Sequence, residues 1–151
     1  MRIDVEEMGE RDRPDWADMR MALWPDIGRK DHLVDIDRML ASERHFGYRA
    51  ATVDGAAVGF AEISIRDYAN GCTAQPVPFL EGIWVHPESR RRRVGAALVS
   101  HIVKRLVAQG YAELCSDADL ENGPSHRAHA AWGFTETERV ICFRKHLGGD
   151  S

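Results

Sequence analysis

Four consecutive arginines, Arg90 to Arg93, stand where an apolar strand gives way to a helix. The stretch Phe79 to Leu98 reads F-L-E-G-I-W-V-H-P-E-S-R-R-R-R-V-G-A-A-L. Ile83 and Val85 suit a buried strand, Pro87 ends it, and Val94, Leu98, Ile102 and Leu106 mark one face of a helix. A loop opening onto a helix presents several unpaired backbone N–H groups. Arginines beside those groups make the junction suited to an anion such as a phosphate. A solvated basic turn is the competing account, since charge runs usually face water. Other chemistry is sparsely provided for. Cys72, Cys115 and Cys142 show no C-x-x-C spacing and no neighbouring histidine, so no thiol nucleophile is implied. His126 and His129 lie three apart on one helix, but nothing nearby completes a metal-ligand set.

These groups need a scaffold, and the chain supplies alternating elements. Ile3 and Val5 give an opening strand over residues 2 to 7. A helix starts at Asp12-Arg13-Pro14, carries Trp16, Met19 and Leu23 on one face, and stops at Trp24-Pro25. A second helix covers Asp31 to Ser42. Residues 48 to 53 and 57 to 66 read as strands joined at Asp54-Gly55. The central strand and its helix follow, and Gly110 stops that helix. Ala112 to Ser116 reads as a short strand, residues 124 to 132 as a helix, and Thr137 to Lys145 as a last strand. The order β-α-α-β-β-β-α-β-α-β predicts an α/β fold with a mixed central sheet.

At 151 residues the chain is expected to form one domain, residues 1 to 151, with room for a real core. No apolar run approaches the roughly 20 residues that span a bilayer, and M-R-I-D-V-E-E lacks the layout of a signal peptide. With three cysteines that cannot all pair, a reduced, cytoplasmic protein is expected, without membrane association. A net charge of −4 argues against nucleic acid as a partner and is compatible with a cationic one.

Strand, V-x-P-x-x-R, a short loop and an apolar-striped helix together resemble the acetyl-CoA site of the GCN5-related N-acetyltransferases (the GNAT superfamily). The family loop follows R/Q-x-x-G-x-G/A. Arg90 and Gly95 match it, whereas Arg93 stands where the first glycine belongs. Asn122, His129 and Gly133-Phe134 are similar to the family's N-(x)6-Y-(x)3-G-F segment, with His129 in place of the tyrosine. The element order is also the family's, which implies the GNAT fold with a splayed central strand. Within the family the nearest resemblance is to aminoglycoside 6′-N-acetyltransferases. It is carried by Leu23-Trp24-Pro25, Ser64-Ile65-Arg66 with Tyr68 and Asn70-Gly71-Cys72, Pro78 to Ile83, Ser116-Asp117, and Glu136 to Val140. The spacing from S-I-R to D-Y is one residue short.

The resemblance implies acetyl-CoA as donor, held by Ile83, Trp84 and Val85, by the loop Arg90, Arg91, Arg92, Arg93, Val94, Gly95 and Ala96, and by Asn122 and His129. A backbone N–H near Ile83 to Val85 would polarise the thioester oxygen. The acceptor amine arrives as ammonium and must lose a proton, directly or through water, before it attacks. Glu81 matches the carboxylate implied for that role, and its apolar neighbours argue against a stray surface charge. Asp117 matches a second carboxylate on the substrate side, and Trp24 and Tyr68 offer flat faces to sugar rings. Two roles are open to His129, proton donor to the leaving thiol or packing residue. The implied activity is acetyl transfer to an aminoglycoside in a ternary complex, giving resistance to the drug. A GNAT enzyme for another amine and a non-catalytic acyl-CoA-binding module are the alternatives. A homodimer is expected, with the last strand as its pairing element.

Overall fold

The computed structural model describes residues 2–148; Met1 and residues 149–151 of the expected domain lie outside the described residues. Strands β1 (Asp4–Glu7), β2 (His45–Ala51), β3 (Ala57–Arg66) and β4 (Val77–Val85) form an antiparallel sheet in the order β1-β2-β3-β4. Helices α1 (Arg13–Leu23) and α2 (Arg29–Leu40) pack on one face and α3 (Val94–Ala108) on the other, and α4 (Gly123–Ala131) follows.

Period-two alternation along β3 builds both cores. Ala61 and Ile63 join Leu98, Ile102 and Leu106 under α3, while Phe60 joins Trp16, Met19 and Ile36 under α1 and α2. Glu62 points to the α1–α2 side and is 4% exposed. Its carboxylate accepts from Trp16 Nε1 at 2.7 Å and from Arg20 Nη1 at 2.8 Å. Arg20 Nε donates to His32 Nδ1 at 3.1 Å, which leaves His32 Nε2–H to donate to the Trp24 carbonyl at 3.1 Å. One buried polar network thus ties both helices to the sheet and fixes the end of α1, where Trp24 sits.

Two expected strands are not formed as strands. Residues 112–116 make only one parallel bridge, Cys115 with Phe79, so the sheet is antiparallel apart from that bridge. The carboxylate of Glu113 instead accepts from the amides of Thr73 and Ala74, at 3.0 and 2.6 Å, in the loop before β4. Residues 137–145 pair with no strand among the described residues, leaving Val140, Ile141 and Phe143 60%, 80% and 91% exposed. A lone strand has no ladder to hold it, whatever its propensity. The second helix begins two residues earlier than expected, and the β2–β3 connection is longer, with Gly55 at φ +88.

The basic loop explains its own departure from glycine. Arg93 has φ +60 and ψ +26, so it keeps the left-handed backbone that a glycine adopts freely. An L side chain there costs about 1 kcal/mol or more. Arg93→Gly is therefore expected to raise the melting temperature by a few degrees without altering the far-UV spectrum. A lower melting temperature would mean that the Arg93 side chain contributes more than its backbone costs.

Candidate active site

The site grows from a break in the β3–β4 ladder. Ile63 pairs with Leu80 and Glu62 with Gly82, so Glu81 is the extra residue of a β-bulge. A bulge turns consecutive side chains to one face. Leu80 faces the α3 core, whereas Glu81 and Gly82 both face the α1–α2 side. There Glu81 Oε2 accepts from Ser64 Oγ and from Arg66 Nε at 2.9 Å, and Oε1 accepts from Arg66 Nη2 at 2.8 Å. Ser64 and Arg66 are two apart on β3 and so share that face. The Arg66 guanidinium also lies 3.5 Å over the Phe79 ring. Next to Glu81, Trp24 covers Gly82 so closely that a Cβ at Gly82 would stand 2.6 Å from its ring. Arg20 stacks over Trp24 at 4.9 Å.

The other edge of β4 forks at the same level. Leu80 N–H donates to the Cys115 carbonyl at 2.8 Å and Cys115 N–H to the Pro78 carbonyl at 2.9 Å. Past Leu80 no described strand pairs with this edge, so β4 runs on to Val85 alone while Ser116 and Asp117 diverge. The splay implied by the resemblance is thus present, and it opens the edge of Ile83, Trp84 and Val85. These three residues are half-buried.

Arg90 reaches back across the fork's far end and donates to the Val85 carbonyl at 3.2 Å. The next three arginines face elsewhere: Arg91, Arg92 and Arg93 line an open groove of about 530 Å³ with Ile3 and Ala97, on the β1 flank. Arg93 precedes the first turn of α3 and gives it no side-chain cap, so among the described residues the amides of Val94, Gly95 and Ala96 have no side-chain cap. Gly95 has a structural reason of its own, since a Cβ there would lie 2.8 Å from the Trp132 ring. That contact locks α4 against the start of α3.

On α4, Asn122 caps the helix by accepting from Ser125 N–H at 3.1 Å. His129 lies 2.8 Å from the Ser125 carbonyl through Nδ1, and 2.7 Å from Ser116 Oγ through Nε2. A carbonyl only accepts, so Nδ1 carries the proton and the Nε2 of neutral His129 accepts from the Ser116 hydroxyl. Its ring also packs on Trp132 and Phe134.

The structure therefore gathers Glu81, Trp24, Ile83 to Val85 and Arg90 on β4 and its surroundings, and links His129 to the diverging Ser116-Asp117. Tyr68 is 68% exposed on the loop before β4. Arg66, Ser116 and Gly82 stand in stretches that carry the resemblance but had no role of their own there; the structure places them against Glu81, His129 and Trp24. Arg66 and Ser64 carried a usable signal, the same-face spacing on a strand next to Glu81.

Residues 7–134 match the acetyltransferase (GNAT) family. An aminoglycoside N(6′)-acetyltransferase type 1 of Serratia marcescens is 46% identical over 134 residues, covering 88% of this chain and 92% of that protein. One from Salmonella enteritidis is 41% identical, covering 95% and 99%. Among solved structures, AAC(6′)-Iy in complex with the bisubstrate analogue CoA-S-monomethyl-acetylneamine superposes with a TM-score of 0.90 at 38% identity, covering 97% of this chain and all of that one. AAC(6′)-Ih from Acinetobacter baumannii gives 0.90 at 36% identity, with coverage of 97% and 100%. With a forked β4, an uncapped helix start after a basic loop and matches that span nearly the whole chain, the protein belongs to the GNAT acetyltransferase family.

Proposed function

We propose that the chain is an aminoglycoside 6′-N-acetyltransferase that moves an acetyl group from acetyl-CoA to an amine in a ternary complex. The observation that carries this reading is the bulge that turns Glu81 toward Trp24 at the mouth of the fork. Relatives sharing up to 46% identity are named for that reaction. The uncapped amides of Val94 to Ala96 and the arginine loop suit the pyrophosphate of the donor, and the open edge of Ile83 to Val85 suits its thioester arm. Asn122 and His129 close the site from α4. The left-handed backbone kept at Arg93 supports a working loop over a degraded one.

Glu81 receives the acceptor's ammonium and takes its proton, directly or through a water. Asp117 and Tyr68 lie on the acceptor side. His129 serves the leaving thiol as imidazolium: Nε2–H passes its proton to Ser116 Oγ as the Ser116 hydroxyl gives its own to the thiolate, while Nδ1–H stays on the Ser125 carbonyl and neutral His129 is left. A panel of acceptors tests the assignment: thiol release from acetyl-CoA with tobramycin, but not with spermidine or a lysine peptide, is expected. Turnover on the polyamine or peptide alone would reassign the substrate.

Gly82→Ala gives a specific check on Trp24. The added Cβ pushes the indole away, so KM for the aminoglycoside is expected to rise severalfold while KM for acetyl-CoA stays within twofold, on the scale of a displaced packing contact of about 1 kcal/mol. Equal changes in both would place Trp24 outside the acceptor site.

The assembly is a homodimer in this reading. Val140, Ile141 and Phe143, exposed on a segment that pairs with no strand among the described residues, are suited to a second copy. Light scattering is expected to give twice the chain mass, and Phe143→Glu to lower it. A cytoplasmic location follows from the donor, and no helix of the described residues is long and apolar enough to cross a membrane.

A further inference from the structure

Glu81 is already occupied. Both of its carboxylate oxygens accept from Arg66, at 2.9 and 2.8 Å, and one also accepts from Ser64. The pair is not a buried strut: the Arg66 and Glu81 side chains are 42% and 31% exposed, so solvent and solutes reach both. The guanidinium carbon stands 3.5 Å over the Phe79 ring, and the negative field of Asp117 favours its charge after that of Glu81. Arg66 thus sits within the field of both carboxylates that the proposed function gives to the acceptor.

We infer that Arg66 is an internal counter-ion that fills the ammonium site of the empty enzyme, and that a cationic acceptor must displace it from Glu81. This rests on the proposed function and adds a selection rule. A substrate with one ammonium offers Glu81 a single charge in exchange for a bidentate partner. A polycation can satisfy Glu81 and Asp117 together, so it displaces Arg66 more readily. The released guanidinium keeps its seat on Phe79, where a cation–π contact favours it. Arg66 therefore sets the preference for polycations without touching the acetyl group.

The alternative is that Arg66 holds Glu81 in its working position and stays there throughout turnover. The two accounts give opposite signs. If Arg66 is the displaceable counter-ion, Arg66→Gln lowers KM for kanamycin by roughly two- to fivefold, the scale of a partly exposed ion pair. It also raises kcat/KM for methyl 6-amino-6-deoxyglucoside, which has one amine, by more than for kanamycin. If Arg66 is a positioning residue, the same variant loses kcat on both acceptors, and Arg66→Lys restores part of it. A fall in kcat/KM for both, or no change, overturns the inference.

A second measurement reads the wild-type protein and is independent of turnover. In the wild-type protein the Arg66 Nε–H is hydrogen-bonded and gives a protected ¹⁵N–¹H signal, assigned by its loss in Arg66→Gln. Saturating kanamycin with CoA present is expected to shift that signal and speed its exchange. A signal unchanged while kanamycin binds elsewhere on the spectrum overturns the inference. If wild-type protein neither binds nor acetylates kanamycin, the proposed function fails first. Spermidine, also a polycation, then replaces kanamycin in the same titration, and an unchanged signal with it bound overturns the displacement as well.

Discussion

Glu81→Gln is expected to lower kcat/KM for an aminoglycoside by roughly 10²- to 10⁴-fold, the range that a positioned general base contributes. The glutamine keeps the size of the side chain and an acceptor for Arg66, so the loss reports proton transfer and charge, not packing. kcat should fall along with kcat/KM, because a proton acceptor matters most in the transition state. The acidic limb of the pH–rate profile should flatten in the same variant. Asp117→Asn gives the contrast: it lies beyond the fork on the diverging segment, so it should raise KM for the aminoglycoside and leave kcat within a few-fold. Product release can hide a chemical effect on kcat, and single-turnover acetyl transfer removes that mask. A Glu81→Gln variant with an unchanged single-turnover rate and pH profile would reduce Glu81 to an ammonium anchor.

The largest effect on stability is expected at Glu62. Glu62→Leu removes the partner of a guanidinium that is almost fully buried, with side-chain exposures of 8% for Arg20 and 5% for Glu62. Stranding one member of a buried ion pair costs about 3–5 kcal/mol, which corresponds to a drop of roughly 10 °C in melting temperature for a chain of this length. Arg20 also holds His32 and stacks on Trp24, so the loss should spread to the acceptor site and raise KM for the aminoglycoside. The double replacement Arg20→Leu with Glu62→Leu should recover much of the stability and little of the affinity. Burial holds the Glu62 carboxyl above the ordinary carboxylate range, despite Arg20 and Trp16. The folded chain therefore binds that proton more tightly than the unfolded one. This contribution is complete below the ordinary carboxylate value and is lost as pH rises through the elevated folded one. Wild-type stability should show that decline and the double variant should not. A melting temperature for Glu62→Leu within 2 °C of wild type would contradict the network's role.

Much of the fold is written in local sequence patterns, and the limits of those patterns are physical. Apolar periodicity and punctuation placed α1, α3, α4 and the β2–β3 pair to within a few residues, because Pro14 fixes its own φ and Gly55 and Gly110 take the positive φ that ends an element. Residues 112–116 and 137–145 have strand composition, yet a strand needs an edge to pair with, and that edge is a tertiary fact. The first segment meets β4 only at Cys115, and the second meets no strand within the described chain. Gly95 matched a phosphate-loop pattern, but its contact in the fold is with Trp132, a residue 37 positions away. Glu81 was legible as a candidate through resemblance. The bulge that aims it was not, since an extra residue in a ladder leaves no mark on a single strand's sequence. Arg66 stands in a stretch that carries the resemblance, but its pairing with Glu81 emerges only when β3 and β4 are set in register.

Acetyl transfer to the 6′-amine is tested by a matched pair of acceptors. Thiol release from acetyl-CoA is measured with kanamycin, which carries a 6′-amine, and with an aminoglycoside of the same ring type that carries a 6′-hydroxyl. Rapid, saturable turnover is expected with the amine and none above background with the hydroxyl compound, with one acetyl group on the 6′-nitrogen of the product. Equal turnover on both acceptors, or acetylation at another nitrogen, would contradict it.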